Sequence, residues 1–321
     1  MKGMMMFRHS AVALFAAAIF ASPAMPQAKQ PELPRLMTPR SVLSLPAARP
    51  DATIRYGEAE SQFGELFLPK PNPETPDALR PVVVLVHGGC WKKSVAGHEL
   101  LRPAATAFAE KGFAVWSVTY RRVDEDGGGY PGTYQDVGAA IDKLRDIASE
   151  NKLDLNRIIL WGHSAGGHLA LWAAGRHRLP DASPLKTADP LKPRGVLSVG
   201  GFGSLAEWES SISDVCGEDV VAKLTPAAAD DATPEQAAAT RFADTSPDRL
   251  LPTAVPVIML HGVFDPVAFP AVGLSYAAAA RKAGDRSEVQ LAPVAGHFEV
   301  IAPGTPAFAQ GLAAVLKLLP K

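Results

Sequence analysis

The segment Gly162-His163-Ser164-Ala165-Gly166 follows directly on the apolar run Arg157-Ile158-Ile159-Leu160-Trp161 and leads into Gly167-His168-Leu169-Ala170-Leu171-Trp172-Ala173-Ala174. A serine held on a sharp turn between a buried strand and a helix has its hydroxyl exposed and the positive end of the helix beneath the reacting oxygen. Gly162 and Gly166 have a steric role, because so tight a turn leaves room only for hydrogen at its flanks. The chemistry this pattern implies is nucleophilic attack by Ser164 on an acyl group. That attack needs a base to take the hydroxyl proton, an acid to orient the base, and donors to hold the developing oxyanion.

The turn resembles the nucleophile elbow of the α/β-hydrolases, and that resemblance implies a carboxylate and then a histidine after the serine in the chain. Asp265 stands in His261-Gly262-Val263-Phe264-Asp265-Pro266, just past the apolar run Val255–Leu260, where a carboxylate can orient a histidine. The competing reading is a helix N-cap, since Pro266 follows. Asp214, Asp219, Asp244 and Asp248 have no strand before them. His297, in Ala295-Gly296-His297-Phe298-Glu299, is the only histidine after Asp265. Its expected role is general base to Ser164 and then general acid to the leaving group; a surface-loop histidine is the alternative. For the oxyanion, His87-Gly88-Gly89-Cys90 follows the buried run Pro81–Val86. Two glycines there turn backbone N–H groups toward the serine, so the amides of Gly89, Cys90 and Ala165 are the expected donors. An ordinary tight turn is the competing reading. His87 is expected to brace this loop, and Trp91 to pack beneath it or to wall the acyl site. Of the other histidines, His163 is expected to shape the turn, His168 to pack, His261 to hydrogen-bond locally, and His98 and His177 to face solvent.

The elements that must position these groups are legible as alternating strands and helices. Opening strands are expected at Thr53–Tyr56 and Gly64–Leu68, and buried β-branched strands at Pro81–Val86, Phe113–Tyr120, Arg157–Trp161, Gly195–Val199 and Val255–Leu260. Ser287–Leu291 is the expected last strand. Helices are expected from about Leu100 to Lys111, Thr133 to Glu150 on the spacing of Tyr134, Val137, Ile141, Leu144 and Ile147, and Pro306 to Leu318. Asp136, near the start of the second, suits the helix dipole. This order gives a mostly parallel sheet covered on both faces. Residues 202–252, rich in Ala, Asp, Ser and Pro, fall between two core strands and read as a cap insertion over the active-site end.

With 321 residues, 47% hydrophobic and 20% charged, the chain has ordinary globular composition. A net charge of −1 offers no attraction to nucleic acid or an anionic membrane. Residues 1–28 read as a secretory signal peptide: a basic start, the short apolar run Ser10–Ala21, and small residues at Ser22-Pro23-Ala24 and Pro26-Gln27-Ala28. The apolar run is short for a spanning helix, so no stable membrane insertion is expected after cleavage, and the mature chain is expected to be exported to the periplasm or secreted. Residues 29–50 read as a Pro-rich tether, and 51–321 as the folded domain. Cys90 and Cys216 can oxidise in an exported chain, but two cysteines alone specify no pairing, and separate buried thiols is the preferred reading. No Cys/His cluster has zinc spacing.

His87-Gly88-Gly89-Cys90-Trp91 is similar to the H-G-G-x-W element of the arylformamidase (kynurenine formamidase)-like and related esterase branch of the α/β-hydrolases. The resemblance continues through Val118-Thr119-Tyr120-Arg121, Tyr130-Pro131, Gln135-Asp136-Val137, the Ser164 turn, the Asp265 loop and Gly296-His297-Phe298. It implies the α/β-hydrolase fold, a catalytic triad of Ser164, Asp265 and His297, no metal and no organic cofactor. Cys90 departs from the pattern, since many relatives carry an aromatic residue or glycine there, and a signal peptide fits poorly with intracellular tryptophan catabolism. The resulting expectation is an exported serine hydrolase of small or medium carboxylic esters, with a small-molecule ester or amide as its only partner. The alternatives are an arylformamidase-type amide hydrolase and a non-catalytic binding protein on the same fold. A membrane-acting lipase would want an apolar lid, whereas Ala227–Ala232 is small and acidic. Arg121 and Arg122 are candidates to attract a substrate carboxylate, or are solvated surface residues.

Overall fold

The computed structural model describes residues 34–227 and 233–319. The expected signal peptide, the first part of the tether and residues 228–232 of the insertion lie outside them. The strands are β1 (Ala52–Arg55), β2 (Phe63–Phe67), β3 (Arg80–Val86), β4 (Ala114–Val118), β5 (Leu153–His163), β6 (Gly195–Val199), β7 (Val257–Gly262) and β8 (Ser287–Ala292). They form one sheet in the order β1-β2-β4-β3-β5-β6-β7-β8. β1 and β2 enter antiparallel, and every pairing from β4 to β8 is parallel. The helices are α1 (Pro39–Leu43), α2 (Arg102–Glu110), α3 (Gly132–Asp142), α4 (Leu144–Ile147), α5 (Ala165–Ala174), α6 (Leu205–Cys216), α7 (Val220–Lys223), α8 (Pro234–Arg241), α9 (Pro270–Lys282) and α10 (Pro306–Leu318).

The β-branched runs are continuous because both faces of the parallel strands are covered. In β3 the side chains alternate between two cores. Val82, Val84 and Val86 join the layer containing Tyr134, Leu169, Trp172 and Tyr276, whereas Val83 and Leu85 join Phe108, Trp161, Phe308 and Val315. α3, α5 and α9 therefore cover one face, and α2 and α10 the other. α5 is buried on every side, which its all-round apolar composition permits. The sheet covers one side and the insertion the other, where the carbonyls of Asp244 and Thr245 accept from Trp172 Nε1 (2.8 Å) and His168 Nε2 (2.9 Å).

Four details depart from the sequence expectations. The helix expected over 133–150 is divided at Lys143, whose amide is shared between the carbonyls of Ala139 and Ile141, tightening the turn. Asp136 is not a dipole partner at the surface. It is buried and accepts from Arg121 N, Nε and Nη2 and from Gln62 Nε2 at 2.7–2.9 Å. Residues 34–50 are not a loose tether: Val42 is fully buried and Ala48 N donates to Thr106 Oγ1 at 2.8 Å. Cys90 and Cys216 are not separate thiols but a disulfide, with Cα atoms 5.3 Å apart. It joins the loop after β3 to the end of α6, and Lys92 Nζ donates to the Cys216 carbonyl beside it at 2.7 Å.

The disulfide closes 126 residues of chain, a long loop whose closure restricts the unfolded state strongly. Replacing both cysteines by serine is expected to lower unfolding free energy by about 2–5 kcal/mol. Urea midpoints of oxidised, reduced and double-serine protein measure this; indistinguishable midpoints would refute it.

Candidate active site

Ser164 sits between β5 and α5 with φ 55° and ψ −120°, a left-handed conformation that a non-glycine residue holds only under constraint. The constraint is visible in the backbone. A Cβ on Gly162 would lie 2.1 Å from the Gly166 carbonyl oxygen, and one on Gly166 would lie 2.0 Å from that of Val86. The turn is therefore pressed onto the end of β3, and α5 starts immediately behind the serine. Ser164 N donates to the Val199 carbonyl at 2.9 Å, which ties the turn to β6 as well.

Asp265 and His297 are brought together from loops after β7 and β8. Nδ1 of His297 donates to Oδ2 of Asp265 at 2.7 Å, with both residues buried. The other carboxylate oxygen accepts from the amides of Val267 and Ala268 at 2.8 and 2.9 Å. Asp265 is not a helix N-cap, since the N-cap of α9 is Phe269; one of its oxygens closes a turn at Val267 and Ala268, and the other holds a histidine. Burial alone would raise the Asp265 carboxyl, but the His297 hydrogen bond and charge, with the two amides, outweigh it and lower it from its ordinary value. The carboxylate is ionised, and the Nδ1–H tautomer leaves Nε2 of His297 as an acceptor. Ser164 and His297 line the same cavity. Among the described residues no hydrogen bond joins Ser164 Oγ to His297.

Gly200, at the end of β6, was not singled out from the sequence. Its φ is +57°, and a Cβ there would approach both Asp265 Oδ2 and His297 Nδ1 to 3.2 Å. The signal was present, because Gly200-Gly201 follows a core strand as Gly88-Gly89 does. His163 does more than shape the turn. Its Nε2 donates to the His297 carbonyl at 3.0 Å, so the residue beside the serine holds the backbone of the histidine.

The loop after β3 lies directly on the serine: a Cβ on Gly88 would come within 2.9 Å of Ser164 Cβ. Gly89, Cys90 and Trp91 follow at φ 109°, 54° and 52°. Three successive left-handed residues, two of them not glycine, need external restraint. The disulfide restrains Cys90, and Trp91 is buried edge-on to His168 at 5.4 Å. Trp91 is therefore a packing residue and does not line the cavity. The amides of Gly89 and Cys90 have no acceptor among the described residues, as an anion-receiving loop requires. His87 braces the loop as expected. Nδ1 donates to the Gly88 carbonyl at 2.7 Å, Nε2 faces Thr119 Oγ1 at 3.3 Å, and the ring stacks on Tyr120.

The cavity at Ser164 has a volume of about 200 Å3 and an apolar lining that includes Leu100, Val215, Val267 and Phe298. A larger hollow of about 560 Å3 lies at the opposite ends of β6, β7 and β8, among Arg194, Arg281 and Arg286, away from the nucleophile. Arg121 and Arg122 do not line the cavity: the first is committed to Asp136, and the second to Glu125 at 2.6 Å. His98 does not face solvent freely, since Nε2 lies 3.4 Å from buried Glu65 and the ring packs on Phe63. His261 donates Nδ1 to the Ala268 carbonyl, and His177 is exposed as expected.

The architecture is the α/β-hydrolase fold. A BD-FAE family model matches residues 66–271, and the chain belongs to that family. Esterase B from Lactobacillus Rhamnosis superposes with a TM-score of 0.69 at 19% identity, covering 87% of this chain and 89% of that one. A carbohydrate esterase from gut microbiota superposes at 0.67 with 18% identity, covering 85% and 96%. The curated protein "Probable carboxylesterase 6" of Arabidopsis thaliana is 31% identical over 176 residues, 52% of this chain. The chain spans about half the length of that relative, 49%.

Two expectations follow from the geometry. Gly200→Ala should leave the fold intact and lower turnover of any serine-dependent substrate on the order of a hundredfold, because displacing the Asp265–His297 pair misaligns the base. Steady-state kinetics beside circular dichroism tests this, and an unaffected rate would refute it. Burial lowers His87 and His163 to about 3 and His168 to about 4, all from 6.5. The unfolded chain takes up protons below pH 6.5 that the folded chain refuses until pH 3–4. Stability is therefore complete above about 6.5 and falls as pH drops, by up to about 1.4 kcal/mol per pH unit for each histidine. Urea midpoints at pH 7, 6 and 5 should decline, with a shallower slope in His168→Gln; a flat series contradicts it.

Proposed function

We propose that this protein is a serine esterase in which Ser164 is the nucleophile, His297 the base and Asp265 its orienting acid. The observation that carries the reading is the 2.7 Å Asp265–His297 bond, made by a histidine that shares a small cavity with a strained serine. Ser164 Oγ attacks the ester carbonyl carbon while His297 Nε2 takes its proton. The carbonyl oxygen becomes an oxyanion and receives the amides of Gly89, Cys90 and Ala165. The tetrahedral species collapses, the C–O bond to the alcohol breaks, and His297 returns the proton to the departing oxygen. Water, deprotonated by His297, attacks the acyl-enzyme; the acid leaves, and the proton returns to Ser164. Asp265 stays ionised throughout and stabilises the imidazolium.

The names of the curated relative and the structural neighbours support ester bonds as the target. The His87–Trp91 residues, similar to those of arylformamidases, keep a formamide substrate as the second reading. Export to an oxidising compartment is part of the proposal, supported by the Cys90–Cys216 bond, since disulfides are rare in reducing cytosol.

Intact-mass analysis after fluorophosphonate treatment tests the nucleophile. One adduct is expected on the native protein and none on Ser164→Ala, together with a loss of ester turnover of at least about a thousandfold. Equal activity in the two proteins would sink the assignment. An aryl formamide and its matching ester, compared by kcat/KM, decide between the readings.

A further inference from the structure

The cavity at Ser164 has one wall that comes from far outside the hydrolase core. Pro39, the first residue of α1, lines it together with Ser164, His297 and Phe298. The segment that carries Pro39 is secured at three points. Val42 is fully buried in the core beneath α2 and α10. Leu36 lies against Gly296, whose added Cβ would meet the leucine Cδ1 at 3.0 Å. The carboxylate of Glu299, itself buried, accepts from Met37 N with Oε1 and from Gly296 N with Oε2 at 2.8 Å. Glu299 therefore holds the N-terminal segment with one oxygen and the histidine loop with the other. The two amides it joins are separated by more than 250 positions in the chain.

We propose that Pro39, carried by the anchored segment 36–42, forms a specificity-determining wall of the acyl site, and that Glu299 is the positioning residue that keeps it in place. This rests on the serine esterase reading above. The other walls, Val95, Leu100, Val215, Val267 and Phe298, are apolar, so the occupant is an apolar chain and not a sugar or a charged group. An apolar cavity of roughly 150 Å3 takes a benzene-sized molecule. The volume of about 200 Å3 here fits an acyl chain of about four to six carbons. Pro39 is exposed on its outer side, so its replacement tolerates either direction of size change. Opposite changes at this position must move selectivity in opposite directions, which a merely structural role would not produce.

The test is kcat/KM for p-nitrophenyl acetate, hexanoate and decanoate with the native protein, Ser164→Ala, Pro39→Ala, Pro39→Phe and Glu299→Gln. The native protein is expected to favour acetate and hexanoate over decanoate. Pro39→Ala opens the wall, and Glu299→Gln loosens it because the side-chain amide has a single acceptor oxygen and sets an NH2 donor against the second backbone N–H; each should raise the decanoate-to-acetate ratio by about fivefold or more. Pro39→Phe fills the cavity and should lower the hexanoate-to-acetate ratio by about fivefold or more. Ser164-dependent turnover with both Pro39 ratios unchanged within about twofold overturns the wall and leaves the esterase reading standing. Ratios that move in the same direction in both Pro39 variants also overturn it. Absence of Ser164-dependent turnover of every ester overturns the esterase reading and this proposal with it.

Discussion

At the carboxyl ends of β3, β5 and β6, chain segments meet at separations that crowd any side chain larger than hydrogen. Gly166 lies on the Val86 carbonyl, Gly162 on the Gly166 carbonyl, Gly88 on Ser164, and Gly200 behind the Asp265–His297 bond. Every other feature of the site depends on this backbone contact. A methyl group at any of these positions would force a neighbouring group to shift. The serine, the receiving amides and the histidine would then no longer share one cavity. The fold supplies the convergence, because parallel strands place all their following loops at one end, and the glycines let those loops close on each other.

The polar groups around this contact divide into two sets. His87, His163, His168 and His261 are buried, and burial lowers each of them, so they stay neutral and serve as hydrogen-bonded braces. Their partners are carbonyls in loops: Gly88, His297, Thr245 and Ala268. Among the described residues, only the Asp265–His297 pair combines a buried carboxylate held ionised with a histidine at the cavity. Burying an imidazole is costly where a nitrogen lacks a partner: one nitrogen of each ring is bonded to a loop carbonyl, whereas Nδ1 of His163 and His168 and Nε2 of His261 have no partner among the described residues.

Long-range ties complete the restraint. The disulfide anchors the loop after β3 to α6, Asp136 gathers donors from Arg121 and Gln62, and Glu299 joins the N-terminal segment to the histidine loop. Each links segments that are distant in sequence, and each satisfies or covalently fixes groups that would otherwise lie unpaired in a half-buried loop. The insertion between β6 and β7 enters by the same logic, covering α5, a helix too apolar to face water.

The local chemistry was legible in the sequence wherever a residue's meaning depends on its immediate neighbours. A strand run before Gly162–Gly166, a strand run before Gly88-Gly89, and chain order after Ser164 were enough to single out Ser164, Asp265 and His297. The strands were legible because burial on both faces demands unbroken β-branched runs. The Cys90–Cys216 bond, the use of Asp136, the seating of residues 34–50, and the positions of Gly200, Pro39 and Glu299 were not. Apart from Gly200, whose glycine pair follows a core strand as Gly88-Gly89 does, none of these is a property of a short window. A carboxylate that accepts amides from two remote loops has the same local sequence as one on a solvated surface. Two thiols carry no record of their partner, and a proline-rich segment reads as a tether until Val42 finds a core. Local steric and hydrophobic rules determined the elements and the candidate site residues; tertiary structure alone decided which distant donors, acceptors and walls surround them, because those contacts exist only after the chain has closed on itself.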